Sequence, residues 1–195
     1  CLLRSLGVSS TMRHIVRRRA SHLPRLAHGR GILDILVRWT MPSTHSVAQV
    51  YLHIVFSTKN RRPYLREPGI RSDLHHYLGG TSNDLGCPII QVGGVADHVH
   101  ILCRMGRKIS IAELIQGLKQ NSSMFVKTKG KDLANFYWQS GYGVFSLSPT
   151  HVERLANYIQ HQEEHHRVET FRDELRRLYM KYGLEWVEDD TTDVD

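Results

Sequence analysis

The sequence predicts an α+β domain of ferredoxin-like β-α-β-β-α-β order, an antiparallel sheet with helices on one face, followed by additional C-terminal helices. Three observations carry this prediction. Four short segments are rich in β-branched and aromatic residues, two helix-like segments separate them, and the second of those helices opens on a capping-box motif. No internal repeat or low-complexity block breaks the order.

The elements follow in turn. Ser46 to Ser57 (SVAQVYLHIVFS) reads as the first strand, ended by Lys59-Asn60-Arg61-Arg62-Pro63. Glu67 to Leu85 carries apolar residues at Ile70, Leu74, Tyr77 and Leu78, the spacing of an amphipathic helix, with Gly79-Gly80 as a point of interruption. Cys87 to Val95 and His98 to Met105 read as two strands joined by a turn at Asp97. Ser110-Ile111-Ala112-Glu113 opens a helix to about Lys127. Tyr142 to Leu147 is the fourth strand. Thr150-His151-Val152-Glu153 fits a second capping box, starting a helix to about His166, and a last helix spans Thr170 to Tyr182.

The 195 residues suffice for one domain with a sizeable core. The formal charge of +7 is unevenly placed. Residues 1–40 hold 8 Arg and 1 Asp, whereas residues 41–195 hold 18 basic and 18 acidic side chains. The sequence therefore divides into an Arg-rich extension (1–40), a single domain (41–187) and an acidic tail (188–195) expected to be disordered. The extension resembles a targeting segment in composition, but patterned sequence begins only after Pro42, which favours Met41 as the true start. No apolar run approaches the roughly 20 residues of a membrane-spanning helix. Cys1, Cys87 and Cys103 form neither a disulfide framework nor a CxxC site and read as reduced thiols of a cytoplasmic protein.

His98-Val99-His100 is the most informative tripeptide. On a strand, residues i and i+2 share a face, so both imidazoles project together and can hold one metal ion. Taken alone, an HxH is more often two histidines on the wet face of a sheet. The helix Leu155 to His166 (LANYIQHQEEHH) offers three readings. Tyr158 and Gln162, four apart, can be a nucleophile and an oxygen ligand on one face. His161 and His165 can be a helical zinc pair, although Gln162 stands where HExxH places its catalytic Glu. Or the face is polar and Tyr158 is packed in the core.

The segments GGVADHVHIL, WQSGYGVFSLS and ANYIQHQEEHH, in that order, resemble the single-tyrosine HUH transposases, which mobilise insertion sequences as single strands; relatives associated with repeated extragenic palindromes form a subgroup. YLHIVFSTKNRRPYL is similar to the family's first strand. The resemblance spans about residues 45 to 182 and leaves out the extension and the tail. It implies that His98, His100 and Gln162 bind a divalent metal, Mg²⁺ or Mn²⁺, and that Tyr158 is the catalytic nucleophile. It assigns no role to His161, His165 or His166.

That resemblance implies a metal-dependent DNA strand transferase. Tyr158 would attack a phosphorus of single-stranded DNA, form a 5′-phosphotyrosine bond and release a 3′-hydroxyl, retaining the bond energy for rejoining. It implies further a homodimer, with active sites that can be completed in trans, and recognition of hairpin DNA. Lys59, Arg61, Arg62, Arg104 and Lys108 are candidate phosphate contacts. Trp138, Tyr142 and Phe145 are candidates for stacking on bases, although such residues are more often core. Alternatives are a domesticated relative that binds hairpins without mobilising DNA, and a replication or conjugation nickase with the same metal logic.

Overall fold

The computed structural model describes residues 47–186, which belong to one compact unit. The expectations for the Arg-rich extension and the acidic tail lie outside the described residues. The strands are β1 (Tyr51–Ser57), β2 (Ile89–Gly94), β3 (His98–Arg104) and β4 (Gly143–Leu147). The helices are α1 (Pro68–Asp84), α2 (Ile111–Lys127), α3 (Val152–Gln160), the single turn α4 (Gln162–His165) and α5 (Phe171–Lys181). The sheet order is β2-β3-β1-β4, and each neighbouring pair is antiparallel. This is the order of a ferredoxin-like domain, in which each β-α-β crossover skips one strand.

Alternation along the strands separates two cores. Leu52, Ile54 and Phe56 of β1, with Val99, Ile101 and Cys103 of β3, face α1 and α2 and pack on Leu74, Leu78, Leu114 and Leu118. The intervening residues face the other way. Val55 and Phe145 there pack on Phe171 and Leu178 of α5. The helices after β4 thus add a third layer, and the one-face expectation holds for α1 and α2 alone. Among the described residues no helix is long and apolar enough to cross a membrane.

Several boundaries differ from the sequence reading, each for a local reason. β1 starts at Tyr51 because its partners there, Arg104 and Leu147, end their own strands. Residue 47 is 96% exposed, with no ladder to join. α1 runs through Gly79 and Gly80, held by the buried Leu74 and Leu78. The first capping box forms, Ser110 and Glu113 satisfying each other's backbone N–H. The second does not. A 3₁₀ turn at Pro149–His151 leads into α3, and the Thr150 hydroxyl bonds Ser148 instead of a free helix N–H. The expected single helix to His166 breaks at His161 (φ −103°, ψ 24°), which separates α3 from α4.

Candidate metal and tyrosine site

β3 delivers His98 and His100 to the sheet face that α3–α5 cover, with Val99 turned into the opposite core. Both histidines are fully buried, which excludes the wet-face reading of the pair. Each has one ring nitrogen already committed. Nδ1 of His98 lies 2.7 Å from Oδ1 of Asp97, in the turn before the strand. Nδ1 of His100 lies 2.9 Å from Nε2 of His53, on the neighbouring strand. Asp97 accepts only, so His98 carries its proton on Nδ1 and presents a bare Nε2. Burial holds His98 neutral, with its pKa lowered to about 4, and takes His53 down to about 3. A neutral His53 that accepts from Nδ1–H leaves His100 in the same tautomer.

Tyr158 and Gln162 reach the same place from α3 and α4. The Tyr158 hydroxyl donates to Oε1 of Glu174 at 2.6 Å, and the Gln162 amide donates to that same oxygen at 3.2 Å. The other carboxylate oxygen, Oε2, lies 3.3 Å from Nε2 of His100 and 3.8 Å from Nε2 of His98. One carboxylate therefore joins the phenol, the amide and the histidine pair within a single chain. Arg177 donates to the Tyr158 oxygen at 2.9 Å and is itself held by Glu169. Burial and the Glu174 carboxylate push the Tyr158 pKa up, and Arg177 only partly opposes them. Burial also opposes ionisation of Glu174, but hydrogen bonds from His166 and Tyr158 outweigh it and hold its carboxyl below the usual carboxylate range.

The residues present fit a metal ion. His98 Nε2, His100 Nε2 and Gln162 Oε1 are buried and make no hydrogen bond, an arrangement costly for lone pairs unless a cation meets them. Two imidazoles and one amide oxygen suit a divalent first-row ion.

Other candidates divide. Lys59, Arg61 and Arg62 follow Ser57, which pairs with His98, and are exposed at the His98 end of the sheet. The Thr58 N–H donates to the Asp97 carbonyl at 2.8 Å, tying that loop beside the site. Arg104 and Lys108 lie at the other end of β3. Six residues from His98, Arg104 is roughly 20 Å away along the strand. Trp138 and Phe145 are buried, Trp138 against Phe56 and Phe136, and so belong to the core; Tyr142 is exposed. His161 and His165 form no zinc pair. Nδ1 of His161 bonds its own helix at the Asn157 carbonyl, the helix breaks at that residue, and His165 stacks on Tyr158.

Sequence reasoning missed five participants: His53, Asp97, His166, Glu174 and Arg177. A signal existed for Glu174. It lies three residues after Phe171 and four before Leu178, on the apolar stripe of α5, where a carboxylate needs a partner.

A family model described as IS200-like transposase matches residues 46–162. The chain belongs to that family. The family is one of transposases, which cut DNA. Two solved structures are similar to this transposase-family chain. A candidate transposase from Deinococcus radiodurans R1 is 20% identical, with 63% of this chain and 98% of that one covered and a TM-score of 0.50. A REP-associated tyrosine transposase bound to a REP hairpin is 15% identical, with 80% and 95% covered and a TM-score of 0.48. No curated protein matches the chain.

Proposed function

We propose that this transposase cuts and rejoins single-stranded DNA with Tyr158 as nucleophile and a divalent ion, Mn²⁺ or Mg²⁺, on His98, His100 and Gln162. The observation that supports this most directly is the Glu174 carboxylate, which touches the phenol at one oxygen and faces the two bare imidazole nitrogens with the other. It brings the proposed nucleophile and the proposed metal ligands to a common point.

Residue roles follow from the contacts. Asp97 fixes the tautomer that aims the His98 Nε2 lone pair at the ion, and His53 does the same for His100 when it accepts from Nδ1–H. The ion, when bound, polarises the scissile phosphate and offsets the charge that develops on it. Glu174 orients the Tyr158 hydroxyl through Oε1. Arg177 places a positive charge beside the phenolic oxygen, favouring the phenolate that attack requires. The Tyr158 oxygen gives up its proton to solvent and bonds to phosphorus as the P–O3′ bond breaks. The 3′ oxygen leaves, takes up a proton, and the DNA 5′ end stays on the enzyme. Attack by a 3′-hydroxyl on that linkage reverses the sequence. We place the DNA backbone along Lys59, Arg61 and Arg62 and leave Arg104 and Lys108 out of that path. Hairpin DNA as the recognition element and a homodimer as the assembly belong to the same proposal.

The test is adduct formation. Labelled single-stranded DNA from the flanks of the gene, incubated with protein and Mn²⁺, is expected to yield a covalent complex stable to denaturant. Tyr158→Phe should abolish it while retaining DNA binding. An adduct that persists in Tyr158→Phe would remove the residue from the nucleophile role, and hairpin binding without any adduct in the wild type would mark a binding-only protein.

A further inference from the structure

The family match ends at Gln162, yet the buried carboxylate at the site's centre comes from α5, beyond that match. Glu174 is 1% exposed. Its Oε2 lies 3.0 Å from Nε2 of His166, 3.3 Å from Nε2 of His100 and 3.8 Å from Nε2 of His98. One ligand atom from each of these four residues lies within 4.8 Å of all the others. Neighbouring ligands on one six-coordinate ion with bonds of about 2.1 Å stand about 3 Å apart, so this cluster needs only slight contraction.

The tautomers make the case stronger. With His98 and His100 protonated at Nδ1, two imidazole lone pairs and a carboxylate oxygen crowd together. Such an arrangement is repulsive, and burial removes the water that would screen it. A cation between them converts every one of those contacts into an attraction.

We propose that His166 and Glu174 are two further ligands of the ion, supplied by the C-terminal segment, so that the DNA-free protein already holds a transition metal and selects it over Mg²⁺. This rests on the reading of His98 and His100 as metal ligands. With Gln162 the set becomes three imidazole nitrogens, one amide oxygen and one carboxylate oxygen. On a six-coordinate ion that leaves one position for a phosphate oxygen, where three ligands would leave three. Imidazole-rich sets favour Mn²⁺, Co²⁺ and Zn²⁺, whereas Mg²⁺ keeps oxygen ligands and water. The ion also ties α5 to the sheet, so metal binding and docking of α5 become one equilibrium.

The experiment is Mn²⁺ binding to the full chain without DNA, followed by calorimetry and electron paramagnetic resonance, with Mg²⁺ as competitor. Wild type is expected to bind one Mn²⁺, with nitrogen couplings from three imidazoles, at least tenfold more tightly than Mg²⁺. Glu174→Gln and His166→Gln should each weaken Mn²⁺ at least tenfold, and His166→Gln should remove one nitrogen coupling. His100→Ala should lose the ion. Wild-type Mn²⁺ affinity in both Glu174→Gln and His166→Gln, with loss in His100→Ala, would overturn this inference and leave the proposed function standing. Wild-type affinity in His100→Ala as well would bring down the metal reading itself. Thermal melts check that each variant folds; if Glu174→Gln does not, His166→Gln decides through its coupling count.

Discussion

Gly93 lies opposite His100 on the adjacent strand, so a side chain there would point at the face that carries the site. α3 uses the missing side chain. A Cβ on Gly93 would fall 2.2 Å from the Ile159 carbonyl oxygen and 2.8 Å from its Cγ2. The first of these contacts is with backbone, so no rotamer change relieves it. Ordinary contact requires more than 3 Å, so Gly93→Ala must push α3 away by about 1 Å. Ile159 is bonded to Tyr158, and the phenol moves with it. Overpacking of this kind costs about 1–3 kcal/mol of stability, which a folded domain survives. Misplacing a reacting group by about 1 Å costs roughly 100-fold in rate. Gly93→Ala should therefore fold, retain Mn²⁺ and DNA binding within a few-fold, and form the covalent adduct about 100-fold more slowly in single turnover. A folded Gly93→Ala with the wild-type rate would refute the claim that this close approach sets the position of Tyr158.

Further expectations can be checked with the same material. Gly80→Ala, in the exposed interior of α1 with nothing within 4 Å of the added methyl, should raise stability by about 0.5–1 kcal/mol in urea titration and leave the adduct rate unchanged. Asp97→Asn still reaches Nδ1 of His98 but loses the charge that fixes its tautomer, and should weaken Mn²⁺ by about 10–100-fold in calorimetry. Arg177→Gln removes the cation beside the phenolic oxygen and should slow adduct formation more than it weakens DNA binding. The Ser110 backbone and side-chain hydrogen bonds hold the Glu113 carboxyl below its ordinary 4.5, so the folded pKa is depressed. Its stabilising contribution is present above pH 4.5 and is lost as pH falls through the folded value. Glu113→Ala should flatten the acid limb of a stability–pH curve measured by chemical denaturation.

The fold was legible because its signals are local. Period-two alternation in YLHIVFS and HVHILCR places Leu52, Ile54, Phe56, Val99, Ile101 and Cys103 in one core without any knowledge of what covers it. The Ser110–Glu113 box states its own helix start. The near-identical pattern at Thr150 and Glu153 failed because Pro149 begins a 3₁₀ turn, and Ser148 then captures the Thr150 hydroxyl. Gly79-Gly80 misled in the other direction. Helix propensity at two positions weighs less than the burial of Leu74 and Leu78 before them and Ser82 after.

The site was legible in halves. The spacing of His98 and His100 fixes that they share a face, but whether the face is wet or dry depends on helices that come 50 to 80 residues later. Nothing within the tripeptide could decide that. Tyr158 and Gln162 share a helical spacing, yet the backbone breaks between them at His161, and they meet at the Oε1 atom of a third residue. Glu174, His166 and Arg177 escaped because each looks ordinary in sequence, an acid or a base within an amphipathic helix or its approach. Only packing distinguishes them. A carboxylate on the stripe of Phe171 and Leu178 would be expelled from an apolar core, and it stays because two buried imidazoles, a buried amide and a half-buried phenol meet it there. The two halves thus explain each other: the histidine pair makes the buried acid tolerable, and the acid gives α5 a reason to cover the pair.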